Sequence, residues 1–168
     1  MEAAEFAVFF KSEYPALVRH VFLRGFTRDI AVDAAQEAMI RLLTSRDDVR
    51  QPRAWIRTTA YRVALATLHD EQRRDQVYRK AATLSWPVPA VPSDKAEQRD
   101  EAERATECIK QLPERQRDVM AWFYDGYSPK EIAQMLGIPR ATVDSNLRHA
   151  RKKLKSLLGG ADTGEEML

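Results

Sequence analysis

The chain has 168 residues, 44% of them apolar and 31% charged, with a formal net charge of +2. That length suits one domain or two small ones, and the composition is ordinary for a soluble helical protein. No run approaches the length of a membrane span and no basic-then-apolar leader opens the sequence, so no membrane insertion and a cytoplasmic location are expected. Cys108 is the one cysteine, which excludes an internal disulfide and a cysteine-based zinc site. His20, His69 and His149 lie in three separate segments, so no metal and no cofactor are expected.

Residues 1–80 read as helices. Phe6, Phe9, Phe10, Tyr14, Leu17, Val18, Val21 and Phe22 recur at helical spacing and predict a wide apolar stripe on a first helix. A second helix is expected from about Ile30 to Ser45, burying Ala34, Ala38 and Leu42. Pro52 marks a loop before a third helix, from about Arg53 to Arg74, which buries some of Trp55, Ile56, Ala60, Val63, Ala64 and Leu68. Residues 84–93, LSWPVPAVPS, hold three prolines within six positions and read as a semi-extended linker. Taken as linker throughout, residues 80–94 would span roughly 20 Å as flexible coil and about 45 Å as polyproline II. From Asp94 the sequence turns helical again, with acids outnumbering bases up to Glu107. Residues 113–127 predict another helix carrying Val119, Met120, Trp122, Phe123 and Tyr124, stopped at Asp125–Gly126. The tail GGADTGEEML, 159–168, reads as disordered.

Residues 129–155 carry the most specific signal. Ser128, Pro129 and Glu131 predict a capping box with proline at the first helical position. Ile132, Ala133, Leu136 and Ile138 supply an apolar face that Gly137 interrupts. Ala133 precedes Gly137 by four positions and Val143 follows it by six, offsets that let two helices cross closely at a sharp angle. The second helix is expected from about Arg140 to about Leu157, with Val143, Leu147, Ala150, Leu154 and Leu157 as its buried stripe. Between Arg140 and Lys155 stand six basic side chains and a single acid, Asp144. Positive charge concentrated on one helix is the footprint of a phosphate-binding element. Its N-terminal half (Arg140, Thr142, Asp144, Ser145, Asn146) would face base edges, and its C-terminal half (Arg148, His149, Arg151, Lys152) would grip backbone. The predicted fold is all-α: two small helical domains joined by a proline-rich linker, the C-terminal one with a helix-turn-helix.

Together these segments resemble the extracytoplasmic-function (ECF) sigma factors of bacterial RNA polymerase over most of residues 5–158. LPERQRDVMAWFYDGYSPKEIAQMLGIPRATVDSNLRHARKKL is similar to sigma region 4: Leu112–Pro113 with Arg117, then Gly126, Ser128, Glu131, Ile132 and Ala133, then Thr142, Val143, Ser145, Leu147, Ala150 and Arg151. DAAQEAMIRLL resembles the core-binding helix of region 2, through Asp33, Gln36 and Glu37, with Arg41 on the same face. The resemblance implies domains at 1–80 (region 2), 81–105 (linker) and 106–158 (region 4). It also implies a non-enzymatic role in promoter-specific initiation. The implied partners are core polymerase, through its β′ clamp helices and β flap, and promoter DNA; an anti-sigma factor stays open as a third.

RAWIRTTAYRVALATLHDEQRR is similar to the family's segment that opens and reads the minus-ten element, yet departs from its A-R-N-x-x-x-D pattern: it reads Ala60, Tyr61, Arg62 and then Ala66. Tyr61 either stacks on an unpaired base, beside Arg62, or is a helix-surface tyrosine. Asp144 could accept from cytosine N4, and Asn146 could pair with adenine or serve as a structural cap. Two other classes fit parts of the chain. A LuxR-type regulator shares the scaffold and Thr142–Val143, but residues 1–80 lack the parallel-strand runs of its usual partner domains. A nuclease needs a carboxylate or histidine cluster, of which Asp33 and Glu37 are at most half.

Overall fold

The computed structural model describes residues 3–45, 49–82 and 107–159. Their helices are α1 (Ala3–Leu23), α2 (Arg28–Ser45), α3 (Pro52–Ala82), α4 (Glu114–Tyr124), α5 (Pro129–Leu136) and α6 (Arg140–Gly159), with one further helical turn at 107–110. No strand occurs among the described residues. The proline-rich segment 84–93, the acidic stretch from Asp94 and nearly all of the tail lie outside the described residues.

The N-terminal half is a three-helix body built on α2. Ala31, Ala34, Ala35 and Ala38 line the buried face of α2 and are at most 1% exposed. Side chains this small let α1 and α3 approach α2 closely, and Met39 and Leu42 fill the lower part of the seam. From α3, Ile56, Ala60 and Ala64 enter at four-residue spacing; from α1, Leu17 and Val21 enter. Thr27 caps α2, its hydroxyl accepting from the Ile30 amide at 3.3 Å.

Three sequence expectations need adjusting here. Pro52 is not in the preceding loop; it is the first residue of α3, where a missing N–H costs nothing. The helix also runs eight residues beyond Arg74. The aromatic stripe of α1 is only half a core face. Leu17 and Val21 are fully buried, whereas Phe6 and Phe9 are half-buried and Phe10 is exposed, stacked on Tyr14 at 4.9 Å.

The C-terminal half has its own smaller core of Val119, Trp122, Ile132, Val143 and Leu147. Leu154 and Leu157 of the expected α6 stripe are half-buried, because α6 runs on past its partners. α4 ends as expected at Asp125, and Gly126 adopts φ +89°.

The two cores are separate, and α1 packs against α4 to join them. The joining surface is where sequence periodicity gave least warning. His20 and Arg57 are 0% exposed, with Arg24 and Asp118 close to that, all on faces a hydrophobic pattern would leave unassigned.

Candidate nucleic-acid interface

The C-terminal scaffold follows its capping and turn chemistry. Ser128 Oγ accepts from the Glu131 amide at 3.4 Å, and Glu131 Oε2 accepts from the Ser128 amide at 2.8 Å, closing the capping box. The Ser128 hydroxyl also donates to Glu131 Oε2, and these bonds hold the Glu131 carboxyl below its usual range. Gly137 takes φ +63°, ψ +33°, and the Ile138 amide donates to the Ala133 carbonyl at 3.1 Å, so α5 stops and the chain turns. Val143 is fully buried beneath this turn, which fixes the angle at which α6 leaves.

Arg140, Thr142, Asp144, Arg148, His149, Arg151 and Lys152 are exposed on α6, and Ser145 and Asn146 are half-buried. Several are already engaged within the helix. Asn146 Nδ2 donates to the Thr142 carbonyl at 2.8 Å, Asp144 lies 3.7 Å from Arg140 Nε, and Ser145 Oγ lies 3.4 Å from His149 Nδ1. The Arg151 guanidinium packs over the Phe123 ring at 4.7 Å, and Lys153 donates to the Gln111 carbonyl at 2.8 Å. Arg148, Lys152 and Lys155 are exposed and have no partner among the described residues. The six basic residues therefore divide into cations held by the scaffold and cations presented to solvent.

On α2, Asp33, Gln36 and Arg41 are exposed and Glu37 is half-buried, all on the side away from the core. Arg41 Nε donates to Glu37 Oε1 at 2.8 Å. Sequence reading missed that Ile40 (58% exposed) and Leu43 (42%) lie on this outer side too. Two aliphatics three positions apart, Ile40 and Leu43, beside the Glu37–Arg41 pair are the signal that could have found it, since neighbouring exposed apolar side chains mark a contact surface where a single one does not.

Tyr61 and Arg62 part company. Arg62 is exposed, whereas Tyr61 is half-buried. The Arg24 guanidinium lies 3.4 Å above the Tyr61 ring centre, and Phe26 meets its edge at 5.8 Å. Tyr61 also lines a cavity of about 370 Å³ whose other walls include Glu114, Asp118 and Leu136 from the C-terminal half.

Between the halves runs a buried polar seam. Asp125, at the end of α4, has a side chain 1% exposed. It accepts from Arg57 Nε at 2.6 Å, from His20 Nδ1 at 2.8 Å and from Arg19 Nη2 at 3.2 Å. Arg57 is held also by Glu13 at 3.0 Å and by the Arg53 carbonyl. Burial alone would raise the Asp125 carboxyl; the bonds and charge of His20 and Arg57 overcome it and bring it to about 2. Desolvation lowers the His20 pKa despite Asp125. His20 is then neutral at pH 7, Nδ1–H donating, and Arg57 supplies the opposing charge. Arg24 Nε donates to Asp118 at 2.8 Å, a second tie across the seam.

Among the described residues no group of three or more His, Cys, Asp or Glu could hold a metal ion, and no helix is long and apolar enough to cross a membrane. Residues 102–154 match the family model for Sigma-70, region 4. The ECF RNA polymerase sigma factor SigM of Mycobacterium tuberculosis is 30% identical over 157 residues, covering 92% of this chain and 78% of that protein. The probable RNA polymerase sigma factor RfaY of Xanthomonas campestris is 30% identical over 144 residues, and the chain spans 36% of its length. Two solved structures share the fold. The sigma factor RpoE from Bartonella quintana, in complex with the anti-sigma factor NepR, superposes with TM-score 0.64 at 16% identity, covering 92% of this chain and 97% of that one. CnrH, in complex with the cytosolic domain of CnrY, gives 0.61 at 24%, covering 96% and 92%. These matches leave the LuxR-type alternative without support.

Proposed function

This chain belongs to the ECF sigma factors of RNA polymerase, and from that premise we propose that it binds core polymerase in the cytoplasm and directs it to promoters without catalysing a reaction itself. The observation that carries the DNA half of this reading is the solvent face of α6. Arg148, Lys152 and Lys155 are free there, on a helix whose exit angle is fixed by Gly137 and Val143. A helix presented this way can enter the major groove N-terminus first, with Arg140, Thr142, Asp144, Ser145 and Asn146 toward base edges and Arg148, His149, Arg151 and Lys152 along the backbone.

The polymerase half rests on the outer side of α2. Asp33, Gln36, Glu37 and Arg41 offer charge and amide groups that can set register against a basic helical surface such as the β′ clamp helices. Ile40 and Leu43 add the apolar area that a stable contact needs. The domain assignment follows: residues 1–80 as region 2 with Tyr61 and Arg62 toward the minus-ten element, 81–105 as linker, and 106–158 as region 4 toward the minus-thirty-five element and the β flap. An anti-sigma factor, the kind of partner named in the RpoE structure, is a further proposed partner.

The decisive test is co-purification with core polymerase followed by run-off transcription with and without this chain. Promoter-dependent transcripts that require the chain are the expected result. DNA binding without polymerase binding would overturn the proposal.

A further inference from the structure

The base-facing half of α6 has few polar groups that are not already engaged. Arg140 Nε and Asp144 Oδ2 lie 3.7 Å apart, and Asn146 Nδ2 donates to the Thr142 carbonyl at 2.8 Å. Ser145, Arg148, His149 and Lys152 recur at three- and four-residue spacing, opposite the buried Val143, Leu147 and Ala150. They form the crest of the helix, the part a groove would meet first. Among these four, Ser145 alone carries a hydroxyl. Its Oγ makes a single hydrogen-bond contact among the described residues, with His149 Nδ1 at 3.4 Å.

A hydroxyl has one proton to give and can also accept. What Ser145 offers outward therefore depends on the ring beside it. Where Nδ1 of a neutral His149 is bare, Ser145 donates to it and turns only lone pairs outward. In the other neutral tautomer, Nδ1–H donates to Ser145 Oγ and leaves the hydroxyl proton free. A charged ring carries a proton on both nitrogens, so Nδ1–H always donates and the hydroxyl proton is always free. Histidine is the side chain that gains charge near neutral pH. The charged groups around His149 lie on its own helix: Arg148 beside it, and Lys152 and Lys153 one turn on, with Lys153 tied to the Gln111 carbonyl. α4 and α5 pack on the opposite side of α6 and give His149 no ionic partner among the described residues.

We propose that His149 is a positioning residue for promoter choice, its ring setting the direction of the Ser145 hydroxyl. Acidification makes Ser145 a standing donor and moves one base position of the bound duplex from cytosine toward guanine or thymine. In the major groove cytosine presents only a donor, whereas guanine and thymine present only acceptors. The inference rests on α6 reading bases, as proposed above. His149 Nε2 stays free for the DNA backbone.

The test selects the full chain's targets from a library of randomised duplexes at about pH 8 and about pH 5.5, with helical content checked at both. At one position guanine or thymine should gain about twofold to tenfold over cytosine at the lower pH, the range of one hydrogen bond. Ser145→Ala should lose preference at that position at both pH values. His149→Gln does not titrate and should rank the bases alike at both, whatever its affinity. Should the chain lose helix at the lower pH, the same selections run in a His20→Asn background. A rise in affinity at low pH that is equal for all sequences would make His149 a backbone cation only and overturn the proposal. A pH-dependent ranking that survives in His149→Gln would overturn it too. If no duplex is bound at either pH, the DNA reading of α6 fails and this inference with it.

Discussion

Asp125 and Arg57 stand 68 positions apart and meet at 2.6 Å, Oδ2 to Nε, with their side chains 1% and 0% exposed. The contact joins the capping residue of α4 to the middle of the N-terminal body. A buried pair of this kind adds little when intact against a hydrophobic alternative, but breaking it strands its partner.

Asp125→Ala therefore leaves Arg57 with Glu13 and the Arg53 carbonyl, and leaves His20 Nδ1 with no acceptor. The expected cost is roughly 3 kcal/mol, the low end for a broken buried pair because Glu13 remains. Urea denaturation monitored by circular dichroism measures it. A change below about 0.5 kcal/mol, as for a surface pair, would show that the seam contributes nothing to stability.

Stability should depend on pH through two groups. The folded protein holds His20 neutral, below its ordinary 6.5, while facing Asp125, Arg24, Arg57 and Arg19. The unfolded chain takes up that proton first, so stability is full above pH 6.5 and declines as pH falls below it. Asp125, held at about 2 against an ordinary 3.8, contributes stability that is present above 3.8 and lost as pH falls toward 2. His20→Asn keeps a donor near the Nδ1 position without titrating, and should abolish the decline that begins below pH 6.5 while leaving the acid limb.

Salt dependence should report the free cations of α6. Three neutralised phosphates, one each for Arg148, Lys152 and Lys155, give a log–log slope of about −3 for duplex binding by the full chain. Lys152→Ala should flatten it by about 1 across all sequences, since a phosphate contact carries no base information. A slope near zero would sink the DNA-binding reading of α6.

Asp144 and Asn146 test base reading. Asp144→Ala should reorder preference among minus-thirty-five variants, weakening those that place cytosine opposite it by about 1–3 kcal/mol. It also releases Arg140, so affinity for other sequences should rise slightly. Unchanged ranking in a competition binding assay would reassign Asp144 to tethering Arg140. Asn146→Ala should have the smaller effect, because its amide already donates to Thr142.

The scaffold has sharp local requirements. Ser128→Ala should cost about 1 kcal/mol by loss of the cap. Gly137→Ala should cost about 1–2 kcal/mol from its positive φ alone, since no atom lies within 4 Å of an added Cβ. Gly25→Ala carries strain at φ +103° and also meets the Arg117 guanidinium at 3.1 Å, so it should cost more. Thermal melts rank the three.

By itself the sequence determined everything whose physics is local. The capping box at Ser128 and Glu131, the turn at Gly137, the helical periods of α2 and α6 and the charge on α6 all depend on residues within a few positions of one another. They were legible for that reason, and so was the family. Tertiary structure decided the rest. Asp125 reads locally as a helix stop, and is one; its carboxylate is a buried anchor because α1 and α3 deliver His20, Arg19 and Arg57 to it across the fold. Tyr61 reads as a ring free to stack, but Arg24, 37 positions earlier, covers it. Arg151 and Lys153 read as DNA cations, but Phe123 and the Gln111 carbonyl engage them first. Charge and aromaticity are properties of a residue, whereas burial and pairing belong to its neighbours, and only the packed chain chooses those.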